Sequence, residues 1–180
     1  MDPLLPYIIP LKGMGEGKHQ FDFDVDADFF GAFEGTLVEE GQLDVQVIMD
    51  KSATLLVLDF SFSGHVQTTC DRCLTSIALP VAGENRLLVK YGDPEDAPID
   101  EDVVFIPLET SKWSIAQFVY EYILLAMPLI KVYDCKAEAE LPCDQEMLDR
   151  LALAPDEAEE EQTNNPLWDA LRDWDKEENN

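Results

Sequence analysis

The chain has 180 residues, and its 38 acids against 12 bases give a net charge of −26. A field of that sign repels phosphate backbones, so unaided, sequence-independent binding of nucleic acid is disfavoured and attraction to a basic partner is favoured, though the same acidity also serves solubility. The hydrophobic share of 46% is that of an ordinary globular chain, long enough for one domain with appendages.

The first residues, Met1-Asp2-Pro3-Leu4-Leu5-Pro6, carry an acid where the basic region of an export signal belongs, and prolines interrupt the apolar run. Tyr7 to Leu11 reads as a short apolar strand and Gly13 to Gly17 as a glycine-rich turn without the spacing of a phosphate loop. His19 to Asp28 alternates, with Phe21, Phe23, Val25 and Ala27 on one face and Asp22, Asp24, Asp26 and Asp28 on the other. The acids do not make a calcium loop. Counting from Asp22 or from Asp24 puts neither glycine at the sixth position nor glutamate at the twelfth, so they form a solvated strand face.

Gln42 to Asp50 alternates again, with Leu43, Val45, Val47 and Met49 inward, and Asp50 to Ala53 is a hairpin loop. Thr54 to Thr69 returns with Leu56, Leu58, Phe60, Phe62, Val66 and Thr68 in one register, and Gly64 suggests a bend or bulge. Ile77 to Val81 and Arg86 to Tyr91 read as two further strand segments, Gly92 to Asp96 as a loop, and Asp102 to Ile106 as another strand. Successive runs with short polar turns favour an antiparallel sheet.

The last third is helical. Thr110 or Ser111 caps a helix from about Trp113 to Ala126, whose buried stripe is Ile115, Phe118, Val119, Tyr122, Ile123 and Ala126. Pro128 stops it, and its apolar stretch, interrupted by Gln117 and Glu121, is too short to span a bilayer. Asp144 to Leu153 reads as a second, short helix. Residues 155–165 form an acidic linker, and Leu167, Trp168, Leu171 and Trp174 share one side of a short terminal segment in 166–180, suited to docking on the body or on a partner.

Two pairs of cysteines carry the candidate chemistry. Cys70 and Cys73 form a C-x-x-C after a strand, and Cys135 and Cys143 are spaced C-x7-C. Together they can supply four thiolates to one tetrahedral zinc, the candidate cofactor, although the second spacing is looser than usual. The other readings are reduced, partly buried cysteines, or a bond between Cys135 and Cys143 under oxidation. A thioredoxin-type couple fits less well, because no βαβ pattern puts this C-x-x-C at a helix N-terminus. A cytoplasmic chain keeps its thiols mostly reduced. Neither His19 nor His65 lies in a nucleophile motif, so an enzyme is not indicated.

The string Cys70-Asp71-Arg72-Cys73-Leu74 and the helix end Glu121-Tyr122-Ile123-Leu124-Leu125-Ala126-Met127-Pro128, followed by Cys135, resemble the YceD family, also called large ribosomal RNA subunit accumulation proteins. The tail Asn165-Pro166-Leu167-Trp168-Asp169-Ala170-Leu171 is similar to the Asp-Pro-Arg-x-x-x-Leu ending of many members. Departures are Asn165 and Leu167 for aspartate and arginine, and Cys135 and Cys143 in place of a second C-x-x-C followed by glycine. The resemblance implies a non-enzymatic role in accumulation of large-subunit rRNA. It also favours a Glu121 paired with Arg72 or Arg86, locking helix to sheet, over a Glu121 at the solvent edge beside Gln117.

The expected architecture is α+β. A curled antiparallel sheet, barrel- or sandwich-like, carries one long packed helix in a single domain over 1–154, with a flexible acidic tail. The expected role is ribosome biogenesis through a basic ribosomal protein or assembly factor, reaching rRNA indirectly and no membrane. The alternative is a zinc- or redox-responsive regulatory protein using the C-x-x-C turn. Oligomeric state is not legible.

Overall fold

Alternating apolar residues build most of the molecule. In the computed structural model, the structure describes residues 2–38, 40–93, 103–133 and 143–153. A short 3-10 turn, Leu5–Tyr7, leads into β1 (Ile8–Pro10), β2 (Gly17–Val25), α1 (Ala27–Gly31), β3 (Gly41–Lys51), β4 (Leu55–Thr69), β5 (Ser76–Tyr91), β6 (Val103–Ile106), β7 (Lys112–Ser114), α2 (Ala116–Ala126) and α3 (Gln145–Leu153). The fold is α+β, as expected. Five strands form a sheet in the order β2-β3-β4-β5-β6, and β1 pairs with β7 in a separate two-stranded sheet.

The chain divides into two units, one ending at Cys143 and one beginning at Asp144. In the first, one face of the large sheet carries the core. Val45, Val47 and Met49 of β3 lie opposite Phe62, Phe60 and Leu58 of β4, Leu43 lies opposite Gly64, and Val81, Leu87 and Val89 of β5 continue the buried layer. Helix α2 packs on β5 and buries Ala116, Val119 and Ile123, while Tyr122 meets Phe60 edge-on with ring centroids 5.1 Å apart. The other face is exposed and polar, with Asp22, Asp24, Asp44 and Glu84 in solvent. In the second unit, α3 is a short helix whose Asp144 side chain accepts from the Met147 amide at 3.1 Å.

Several expectations are corrected. The sheet is not a closed barrel, and it is not wholly antiparallel, because β6 runs parallel to β5. The segments around Val81 and Arg86 are one 16-residue strand. The strand from His19 stops at Val25, because the Asp26 side chain accepts from the Phe29 amide at 3.1 Å and caps α1. The long helix expected from Trp113 is shorter: Lys112–Ser114 is drawn into a ladder with Ile8–Pro10, leaving α2 with 11 residues. Met127 takes an extended backbone ahead of Pro128, which ends α2 where the proline requires.

Gly64 makes no bulge. Pairing runs unbroken through it, opposite Leu43 on one side and Val81 on the other. The glycine is needed for close approach, since a Cβ there would lie 2.1 Å from the Gln42 carbonyl oxygen. The linker 155–165 and segment 166–180, with Leu167, Trp168, Leu171 and Trp174, lie outside the described residues. Among the described residues no helix is long and apolar enough to cross a membrane.

Candidate functional site

Strands β4 and β5 are long, and the connection between them is the C-x-x-C segment. It closes on itself through two backbone bonds: the Cys70 amide donates to the Thr75 carbonyl at 2.8 Å, and the Leu74 amide to the Cys70 carbonyl at 2.9 Å. Leu74 holds φ at 59°, in the left-handed region that strains a residue with a Cβ, and its side chain stays 65% exposed. The tight turn carries Cys70 and Cys73 inward. Both are buried and free.

A distant segment secures the turn. The Asp71 amide donates to the Lys131 carbonyl at 2.7 Å, and the Lys131 amide donates back to Asp71 Oδ2 at 2.6 Å. Arg72 Nη2 reaches the Tyr133 carbonyl at 3.5 Å. The stretch after α2 therefore lies along the turn, and it carries exposed Leu129, Ile130 and Val132. A depression of about 440 Å3 beside the turn is lined by Thr36, Leu37, Glu40, Gln67, Thr69 and Lys131, among others.

Cys70 is the chemically distinctive group. Burial pushes its thiol up, but backbone hydrogen bonds from Tyr133, Cys73 and Arg72, with the Cys73 side chain, pull it down to about 7. Donors aimed at one sulfur favour the thiolate by replacing water's hydrogen bonds. The arrangement is a dithiol with one sulfur biased toward the anion.

The other expected site residues fare differently. Cys143 is buried and disulfide-bonded, with neither Cys70 nor Cys73 as its partner, so in this state it offers no thiolate. Cys135 lies outside the described residues, among which no cluster of three or more His, Cys, Asp or Glu is placed to hold a metal. The expected pairing of Glu121 with Arg72 or Arg86 is not made. Glu121 is exposed and accepts from Gln117 Nε2 at 2.8 Å, one helical turn away, while Arg86 pairs with Asp59 across β4 and β5 at 2.6 Å. A carboxylate that reaches solvent needs no buried partner, and the local one is nearer. Sequence reasoning missed Lys131 and Tyr133, which act through backbone groups and leave no signature in residue type.

The span that carries this turn is also the span that identifies the chain's relatives. A family model described as "Large ribosomal RNA subunit accumulation protein YceD" matches residues 58–174. The chain belongs to the YceD family. The match opens inside β4 and covers the cysteine turn, β5, β6, β7, α2 and α3, leaving out β1 to β3. No curated protein and no solved structure matches the chain.

Proposed function

We propose that this protein is a non-enzymatic ribosome-biogenesis factor that supports accumulation of large-subunit rRNA through a basic protein partner. The observation that carries the reading is its membership of the YceD family, over a match that includes the cysteine turn and α2. The net charge of −26 supports a protein intermediary, since such a field opposes direct contact with phosphate and attracts lysine- and arginine-rich polypeptides.

Affinity purification of the full chain from cells, with the co-purifying protein and RNA identified, tests the proposal. A basic large-subunit protein should be recovered with precursor rRNA, and recovery should fall steeply as salt is raised. Tight, salt-tolerant binding of the purified chain to bare rRNA would overturn the protein-mediated mechanism. Recovery of neither species would overturn the biogenesis role.

A second reading, a regulatory protein responsive to zinc or to redox state, is favoured by one observation: two buried free thiols share a turn, with backbone donors gathered on one of them.

A further inference from the structure

We propose that the free edge of β2 receives an extended, basic segment of the protein partner as an added antiparallel strand. The partner's charge rests on the protein-mediated reading above, while the edge rests on the fold. β2 is the outermost strand of the large sheet and pairs only with β3. The phase of that pairing follows from the next ladder. The Ser52 amide donates to the Leu55 carbonyl at 2.9 Å and the Gln67 amide to the Glu40 carbonyl at 2.8 Å, both in continuation of the β3–β4 register. Even-numbered residues of β3 therefore bond β4, and odd-numbered ones bond β2, where their partners are also odd. Lys18, Gln20, Asp22 and Asp24 are left with amides and carbonyls directed away from the sheet. The Tyr7 hydroxyl agrees with this phase, since it donates to the Asp24 carbonyl at 2.9 Å. Among the described residues, no hydrogen bond takes up the outward groups of Lys18, Gln20 and Asp22. The strand also lacks the usual guards of an edge. No bulge interrupts its register, it contains no proline, and its inner face carries no acid, lysine or arginine.

The two faces of β2 decide what the added strand carries. Its residues alternate, some beside Asp22 and Asp24 on the polar face and those between them beside Phe21 and Phe23 on the other. On the polar face Asp24 stands opposite Asp44, in the kind of pair where side chains approach most closely and like charges repel. Among the described residues neither carboxylate has a basic partner. Asp22 accepts from the side-chain amides of Gln20 and Gln46, which leave its charge uncompensated. A lysine or arginine on the added strand supplies the missing cation. On the other face Phe21 and Phe23 are only half-buried, with ring centroids 6.4 Å apart, and apolar residues of the added strand cover them. The segment that fits alternates basic and apolar residues. A second copy of the chain fits less well. Antiparallel β2 edges centred on Phe21 bring Lys18 to Asp24, but they set Glu16 against Asp26 and join two bodies of charge −26. The family match begins at residue 58, so β2 is no part of what the biogenesis reading rests on.

The test adds a short synthetic peptide of alternating lysine and valine to the full chain at physiological salt and follows amide exchange by NMR. Exchange at Lys18, Gln20, Asp22 and Asp24 should slow several-fold. In an antiparallel pairing the lysine amides face β2, so N-methylating them should weaken binding at least about tenfold, because several hydrogen bonds are lost together with no change of charge. N-methylating the valine amides should leave it intact. Asp22→Asn with Asp24→Asn should weaken binding, and Gln20→Pro should block it at no cost to the β2–β3 ladder, since the Gln20 amide points outward. The methylated peptides keep the test decisive if either variant fails to fold. Binding that survives methylation of the lysine amides, or that slows exchange elsewhere than at β2, would overturn the proposal. So would β2 amides already protected before peptide is added, with a second copy as the occupant if the chain sediments as a dimer. In cells, Gln20→Pro should lose the basic large-subunit protein that wild type recovers. Equal recovery by both would sink the edge and leave the biogenesis reading standing. Peptide binding at β2 with no basic protein recovered from cells would uphold the edge and remove that reading.

Discussion

The covered face of the large sheet and the turn at its end are held by different forces. The face is held by area: Val47, Met49, Leu56, Leu58 and Val89 are wholly removed from water, and rings such as Phe60 and Tyr122 lock edge to face. The turn is held by direction: two bonds close it, two from Asp71 fix it to Lys131, and a sulfur collects donors from three residues. Non-directional burial is cooperative, so losing part of it weakens the whole unit. Directional bonds near solvent are local, so losing one loosens a segment and leaves the sheet intact. The candidate chemistry sits where opening is cheap.

The contrast is broken or sharpened most strongly by Phe60→Ala. The ring is almost fully buried, and its removal should lower unfolding free energy by about 3–5 kcal/mol in denaturant titration. Local amide exchange at Lys131 and Tyr133, measured well below the transition, should hardly change. Equal acceleration at both places would mean that turn and core are one cooperative piece.

Gly64→Ala comes next. The new methyl would meet the Gln42 carbonyl oxygen at 2.1 Å, so β3 and β4 must part, at about 1–3 kcal/mol. A melting temperature equal to wild type would show that the strands separate freely at this point.

Tyr7→Phe tests the core through pH. Burial first, then Asp26 and Asp24, raise the Tyr7 phenol well above its ordinary value, and its hydroxyl donates to the Asp24 carbonyl at 2.9 Å. The folded state therefore holds this proton more tightly than the unfolded chain. Its contribution is fully present below about pH 10 and is lost as pH rises beyond that. At neutral pH the variant should be less stable by about 1 kcal/mol for the missing hydrogen bond. The gap should shrink in alkaline melts, and a gap constant with pH would show that Tyr7 ionises as easily folded as unfolded.

Asp71→Ala should have the smallest global effect, about 0.5–1.5 kcal/mol for the lost acceptor. It should nonetheless speed exchange at Lys131 and raise the rate at which Cys70 is alkylated. A large drop in melting temperature would place the turn inside the cooperative core and erase the difference between the two regions.

Much of this architecture is legible in the order of the residues. The inward residues of β3 and β4, the helical stripe through Val119 and Ile123, and the stop at Pro128 follow from periods of two and of 3.6 and from the ring of proline. Those signals are written within a few neighbouring residues, so the sequence alone determined strands such as β3 and β4 and their apolar face, and the resemblance carried by Cys70-Asp71-Arg72-Cys73-Leu74 pointed to the family that the match over residues 58–174 shows. The tertiary structure decided which segments meet. Lys112–Ser114 became a strand because Ile8–Pro10 lay beside it, β6 settled parallel to β5, and Glu121 turned to Gln117 instead of to an arginine. It also brought Tyr133 to Cys70. Backbone donors are the same in every residue but proline, so no pattern of side chains announces where they will converge.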